Sequence, residues 1–238
     1  HPEANVERLP VSEVFGPTIQ GEGPHAGRTC HFIRLGGCNL SCSWCDTPYS
    51  TGQHGIPLST VPRVMVDDVV AQIPHGAMVV LTGGEPLMHA RRAGFRALLV
   101  RLKNHGCEVH VETNGTIVPH ELAPLFDHIT VSPKLGAPMR NQHHNPTLGQ
   151  WDTWETPFCF KWVIDVGRDE DVPEAVTRAV DLSLEHGCDR GDVWVMPEGA
   201  TPELLARRFT AICDAAAEQG INVSHRLHAL AWGDSKGH

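Results

Sequence analysis

The chain has no surplus of positive charge. Its 19 lysines and arginines face 28 aspartates and glutamates, a formal net charge of −9 at pH 7. That balance argues against a protein that grips a nucleic-acid backbone through a basic face, although a local basic pocket for a small anion stays open. No apolar run approaches the ~20 residues of a membrane-spanning helix. No signal-peptide pattern precedes the first predicted strand, although the chain opens on His1 rather than Met, so a cytoplasmic protein without membrane contact is expected. Fixed-length repeats, low-complexity tracts and linkers are missing too, and 238 residues are most simply one domain over 1–238. Without a secretory signal, the eight cysteines read as reduced thiols rather than a disulfide framework.

Three of those cysteines sit in one short run, Gly36-Gly37-Cys38-Asn39-Leu40-Ser41-Cys42-Ser43-Trp44-Cys45-Asp46-Thr47. A fourth ligand is missing. A structural zinc site asks for four protein ligands in a closed tetrahedron. Three thiolates can instead hold three irons of a cubic [4Fe–4S] cluster and leave the fourth iron open to a small molecule. The rival readings are a zinc-stabilised binding module without turnover, or three thiols packed as small hydrophobes. Cys30, Cys107, Cys159, Cys188 and Cys213 are scattered and are expected to be buried structural thiols.

Strand-like apolar segments alternate with helix-period ones along the rest of the chain. Strands are predicted at 29–35, 78–81, 108–111, 128–131, 158–164, 193–196 and 221–224. Phe95, Leu98, Leu99 and Leu102 make one helical stripe; Val176, Ala179, Val180 and Leu184 a second; Leu205, Phe209, Ile212 and Ala216 a third. Each stripe runs into a glycine able to close a helix, at Gly106, Gly187 and Gly220. Repeated strand–helix–strand order predicts an α/β fold with parallel strands, either an open doubly wound sheet or a partial barrel. Residues 136–156 form one long irregular insertion, whose His143-His144 pair reads as a metal site or as a solvated loop.

Four polar segments follow predicted strands: Thr82-Gly83-Gly84-Glu85-Pro86, Glu112-Thr113-Asn114-Gly115-Thr116, Ser132-Pro133-Lys134 and Met196-Pro197-Glu198-Gly199. Strand C-terminal ends are where βα barrels gather functional residues. The glycines of the first segment allow close approach to the backbone.

The Cys-x3-Cys-x2-Cys spacing, with an aromatic residue before the last cysteine, resembles the signature of the radical S-adenosylmethionine (SAM) superfamily. The resemblance implies a partial (β/α) barrel of the radical SAM type with about six parallel strands. It also implies a [4Fe–4S] cluster on Cys38, Cys42 and Cys45 whose open iron chelates SAM, with an electron cleaving SAM to methionine and a 5′-deoxyadenosyl radical. By the same resemblance Gly84 and Glu85 hold the SAM amino group, and Ser132, Pro133, Lys134 and Met196 line its ribose and adenine. Trp44 packs beside the cluster and adenine, or simply shields the cluster from water. The Met196 turn departs from the Gln-Pro start of some relatives.

Further motifs narrow the resemblance: Glu13-Val14-Phe15-Gly16-Pro17-Thr18-Ile19-Gln20-Gly21-Glu22-Gly23, Gly27-Arg28, Phe32-Ile33-Arg34 and Leu227-His228-Ala229-Leu230. With the strand-end segments in the same order, nearly the whole chain looks like the 7-carboxy-7-deazaguanine synthase family. That implies a carbon–nitrogen lyase acting on 6-carboxy-5,6,7,8-tetrahydropterin in deazapurine and queuosine-precursor biosynthesis. Ile19, Gln20, Gly21, Glu22, Thr82 and Glu112 are suitable partners for a pterin edge. Arg34 is placed to bind the substrate carboxylate, or is a surface arginine. Thr47 resembles the family's Mg²⁺ position, with a helix N-cap as the rival reading. His225, at the end of the last predicted strand, belongs to a region that closes over substrate in relatives. An electron donor such as flavodoxin or ferredoxin and a homodimer are expected. A glycyl-radical-enzyme activase is the nearest alternative, and it leaves Gln20-Gly21-Glu22 without a task.

Overall fold

The computed structural model describes residues 7–43, 45–52, 57–134, 148–151, 155–164, 171–199 and 201–233. Its strands are β1 (Arg8–Ile19), β2 (Thr29–Leu35), β3 (Arg63–Met65), β4 (Met78–Gly83), β5 (Glu108–Thr113), β6 (His128–Val131), β7 (Phe158–Ile164), β8 (Val193–Pro197) and β9 (Asn222–Val223). The helices are α1 (Pro48–Thr51), α2 (Val66–Val70), α3 (Ala93–Asn104), α4 (Val172–Glu185), α5 (Pro202–Gln219) and α6 (Leu227–Trp232). All these strands join one sheet in the order β3-β1-β2-β4-β5-β6-β7-β8-β9.

From β2 onward each neighbour in that order pairs parallel with the one before it. A doubly wound sheet needs a point where strand order reverses. Across the parallel strands, from β2 to β9, order never reverses, which is the winding of a barrel, and the sheet stays open because β3 and β9 are its edges. The partial barrel is therefore the right choice of the two. Among the described residues its parallel strands number seven, in keeping with the expectation of about six, the last being the two-residue β9.

β1 and β3 were not legible in the sequence. β1 pairs antiparallel with β2 from Val11 to Ile19 and with β3 over Arg8 to Pro10. Pro10, Gly16 and Pro17 interrupt its alternation, and register shifts between Val11 and Glu13 and between Phe15 and Thr18 absorb them.

Side chains level with one another on paired parallel strands share a face. The helix-facing side is the main core: Ile33, Leu35, Val79, Leu81, Val109, Val111, Ile129 and Val131 pack with the predicted stripes of α3, α4 and α5. Two stripe residues depart from expectation. Leu184 is exposed, and Phe209 lies against the ring of His225 instead of entering the core. Gly106, Gly187 and Gly220 follow α3, α4 and α5 in left-handed conformation, at φ 72°, 88° and 64°.

The opposite, inner face changes character along the strands. Near the N-terminal ends Cys30, Phe32, Met78 and Val80 form a small apolar cluster. His25, from the segment after β1, seals this end against the rings of His110 and His128, at centroid distances of 4.4 and 4.6 Å. Burial, with His25 and His110 beside it, pushes the His128 imidazole down to about 3. A folded-state value below the unfolded one means that stability is complete above about pH 6.5 and is lost as pH falls below it. Thermal midpoints measured from pH 7.5 to 5 are expected to fall by several degrees, and His128→Gln to flatten that slope.

Toward the C-terminal ends the inner face turns polar. Arg34 is level with Thr82, Glu112 with Thr130, and Lys161 with Trp194. Of the predicted insertion, only 148–151 and 155–156 are described, so His143 and His144 lie outside the described residues, as does Trp44. Cys30, Cys107, Cys159 and Cys188 are buried as expected, while Cys213 is half-buried.

Candidate active site

The cysteine loop leaves β2 at Leu35 and crosses the C-terminal edge of the sheet. Cys38, Leu40, Cys42 and Cys45 pack on one another. Main-chain and amide contacts pin the loop: Gly37 N donates to Ser50 O (2.7 Å) and Glu85 N to Gly37 O (2.7 Å). Asn114 Nδ2 donates to Asn39 Oδ1 (2.9 Å), and Asn39 Nδ2 donates to Thr116 Oγ1 (2.8 Å). Burial pushes the Cys38 thiol up to about 12 and raises Cys42 as well. Such thiols keep their protons until a metal displaces them. The Leu40 N–H points at Cys38 Sγ (3.4 Å), a further contact suited to a bound thiolate. Three gathered thiols, Cys38 and Cys42 buried and Cys45 half-buried, are a donor set that fits an iron–sulfur cluster. Among the described residues, no three His, Cys, Asp or Glu side chains are grouped as ligands of one metal ion.

The Gly83-Gly84 pair explains how the loop is seated. Gly83 has φ 130°, and a Cβ on Gly84 would lie 2.0 Å from Gly37 O. What comes close to these glycines is the protein's own backbone, on the segment that carries Cys38. Glu85, wholly buried, braces the turn by accepting from Leu87 N (3.0 Å), Thr113 Oγ1 (2.8 Å) and Asn114 N (2.7 Å). Burial nevertheless pushes its carboxyl up to about 7. Beyond β6, Ser132 N donates to Thr113 O (2.7 Å). Buried Pro133 follows, and Lys134 folds its ammonium back onto Ser132 Oγ (2.6 Å). Burial pulls the Lys134 ammonium down. Met196 is buried at the end of β8. Thr47 occupies the N-cap position of α1, yet its hydroxyl caps no helix N–H among the described residues and sits 4.0 Å from Cys45 Sγ. The N-cap reading thus gives the side chain no task, and one hydroxyl beside the cluster loop suits an ion that completes its shell with water and substrate oxygens.

Gln20, Glu22, Thr82 and Glu112, predicted as substrate partners, meet on the inner face. Thr82 Oγ1 donates to Glu112 Oε2 (3.0 Å) and Gln20 Nε2 to Glu112 Oε1 (3.3 Å). Glu22 N donates to Gln20 Oε1 (3.2 Å). Two cations complete the group: Lys161, which the sequence did not single out, and Arg226, which lies in the C-terminal region expected near substrate but without an assigned contact. Lys161 of β7 bonds Glu22 and lies 3.6 Å from Glu112. Arg226 bonds Glu22 (3.0 Å), Gly199 O (2.9 Å) and Asp46 (3.3 Å), tying the cluster loop to the substrate group. Burial alone would raise the Glu22 carboxyl, but Lys161, Arg226 and His228 outweigh it and hold Glu22 well below the usual range. One signal for Lys161 was readable: a charge in the middle of a buried strand needs a partner.

Gly21 places the C-terminal segment. Leu227 N donates to Gly21 O (3.0 Å), and a Cβ on Gly21 would meet His228 Nδ1 at 2.0 Å. Ile19 ends β1 opposite Thr29. Arg34 is no solvated surface arginine: its Nε donates to Glu13 (2.6 Å), which also accepts from Tyr49 (2.9 Å). His225 is the residue not brought into the group. Its Nδ1 accepts from Arg226 N (2.8 Å) and its ring lies 4.6 Å from that of Phe209. It leaves the strand before α6, so its neighbour Arg226 is the one that faces Glu22.

Three thiols held over the C-terminal edge of a singly wound, open barrel define the radical SAM class, and the Radical SAM superfamily profile matches residues 32–203. The crystal structure of QueE from Escherichia coli is similar in fold, with a TM-score of 0.64 at 24% identity, covering 93% of this chain and 95% of that one. The chain is 36% identical to the 7-carboxy-7-deazaguanine synthase of Pyrobaculum aerophilum, over 97% of both proteins. It is 33% identical to that of Halobacterium salinarum, over 95% of this chain and 91% of the relative. The chain belongs to the 7-carboxy-7-deazaguanine synthase family. A [4Fe–4S] cluster and SAM are accordingly its cofactors, and neither the activase nor the zinc-module alternative is favoured.

Proposed function

We propose that this protein converts 6-carboxy-5,6,7,8-tetrahydropterin to 7-carboxy-7-deazaguanine with loss of ammonia. The observation that carries the reading is the meeting of Gln20, Glu22, Thr82 and Glu112 on the inner face, tied through Arg226 to the cysteine loop. When bound on Cys38, Cys42 and Cys45, the cluster with SAM supplies one-electron hydrogen-atom abstraction that side chains cannot perform. The chain's own task is orientation. Glu22 and Glu112 accept N–H bonds from the pterin edge, and Gln20, able to give and take, fixes its register. Arg34 takes the substrate carboxylate, with its Nε edge already set by Glu13. Gly84, Glu85, Ser132, Pro133, Lys134, Met196 and Trp44 form the SAM side of the site. Thr47 lends one hydroxyl to a Mg²⁺ ion that takes its remaining ligands from substrate carboxylate and water. The protein works as a cytoplasmic homodimer fed by a flavodoxin- or ferredoxin-type donor.

Oxygen-free incubation of cluster-loaded protein with SAM, dithionite and the carboxylated pterin tests this. Mass spectrometry should find 7-carboxy-7-deazaguanine, one ammonia per product, and SAM largely unconsumed. SAM cleavage that leaves the pterin untouched would end the proposal. Thr47→Ala should keep its iron and lose turnover by roughly tenfold, with the Mg²⁺ dependence abolished.

A further inference from the structure

Lys161 is a cation in an unusual position for a strand residue. Its side chain is 4% exposed, in the middle of β7. A buried ammonium is costly unless carboxylates hold it. Two do, from separate elements: Glu22, after β1, in hydrogen-bond contact, and Glu112 of β5 at 3.6 Å. β6 lies between β5 and β7; on this face it carries Thr130, level with Glu112, and, toward its N-terminal end, His128, whose ring meets Cys159 (3.5 Å), so the ammonium reaches across β6 beside Thr130. Among the described residues, the other charged or titratable groups facing this trio are Lys134 and Cys159 near Lys161, Cys30 near Glu112, and Arg226 and His228 near Glu22. Glu112 is fixed further by Thr82 and Gln20. Two carboxylates in one small chamber repel, and the nearer to each other they stand, the more one favours taking a proton. A carboxyl that takes a proton loses an acceptor site.

We propose that Lys161 is a positioning residue for the substrate: it sits between Glu22 and Glu112 and keeps both carboxylates as acceptors aimed at the donor edge of a pterin. The inference rests on reading this chamber as the tetrahydropterin site. Lys161 acts through the two glutamates and does not itself have to touch the ring.

The test is the pH dependence of kcat/KM in anaerobic, cluster-loaded enzyme with 6-carboxytetrahydropterin, taken as the ratio of variant to wild type so that substrate ionisation cancels. In Lys161→Met the cation shared by Glu22 and Glu112 is gone and only Arg226 and His228 still oppose burial at Glu22, so the carboxylate pair takes a proton more readily. KM should rise about tenfold at pH 8, and the ratio should fall further, by up to tenfold per pH unit, as pH drops toward 6. Iron content should stay at the wild-type level, which a merely structural role would not predict. Lys161→Arg should give a ratio flat with pH. If Lys161→Met fails to fold, Lys161→Met/Glu22→Gln removes one charge of each sign, and its ratio should be low and flat. A wild-type KM with a flat ratio in Lys161→Met, or wild-type kcat/KM in the double variant, would overturn the proposal. Wild-type enzyme that ignores the pterin would instead overturn the reading of the chamber.

Discussion

Cys42→Ala is expected to yield a folded protein that holds little iron and turns over at background, a loss of roughly a thousandfold or more. The loop does not depend on Cys42 for its shape. Gly37 is held by Ser50 and Glu85, and Asn39 by Asn114 and Thr116, all through contacts that a metal does not make. Removing one thiol therefore leaves the loop in place and takes away a corner of the ligand set. With two thiolates left, the cluster has no protein bond on a second iron, and the site for SAM goes with it. Iron and sulfide analysis, the brown absorbance and product formation should all fall together, while the thermal midpoint of the metal-free proteins stays close to that of wild type. Cys213→Ser, on α5 and far from this loop in sequence, should match wild type in all three. A fully iron-loaded, active Cys42→Ala protein would remove the cysteine trio from the mechanism.

The contrast between these cysteines follows from what a sequence carries locally. Cys38, Cys42 and Cys45 announce themselves by spacing, β4 by the unbroken apolar run of a buried parallel strand, and β5, β6 and β7 by apolar residues at alternate positions. The helical stripes and their closing glycines were equally local. β1 escaped because Pro10, Gly16 and Pro17 imitate a turn, and only its bulged pairing with β2 makes it a strand. The contacts of Lys161 and Arg226 escaped for a different reason. Their partner Glu22 lies 139 and 204 residues away in the chain, so nothing in either neighbourhood states the match. Gly84 sits between these cases. Its lack of a side chain pointed to a close approach, but the identity of the approaching group, Gly37 on the cysteine segment, is a property of the folded chain.

That approach gives Gly84→Ala a large expected cost in stability. A Cβ there would lie 2.0 Å from Gly37 O, 2.5 Å from Gly37 C and 3.1 Å from Cys38 Cβ. The first two are backbone atoms on a pinned segment, so no rotamer change relieves the overlap. If the Gly83-Gly84 turn moves instead, Glu85 leaves Thr113 and Asn114, and a buried N–H and hydroxyl lose their acceptor. Either route is expected to destabilise the protein by about 3–5 kcal/mol. For a chain of this size that lowers the thermal midpoint by roughly 10 °C or more. If the Cys38 segment moves, iron loading should drop as well, because Gly37 precedes a cluster ligand. Gly191→Ala is the control: a Cβ there meets nothing within 4 Å, and neither its midpoint nor its iron should change. Gly220→Ala, also in open space but at φ 64°, should lose about 1 kcal/mol and no iron, since only backbone strain is involved. A Gly84→Ala protein with the melting temperature and iron load of Gly191→Ala would mean that the strand-end glycines do not seat the cysteine loop.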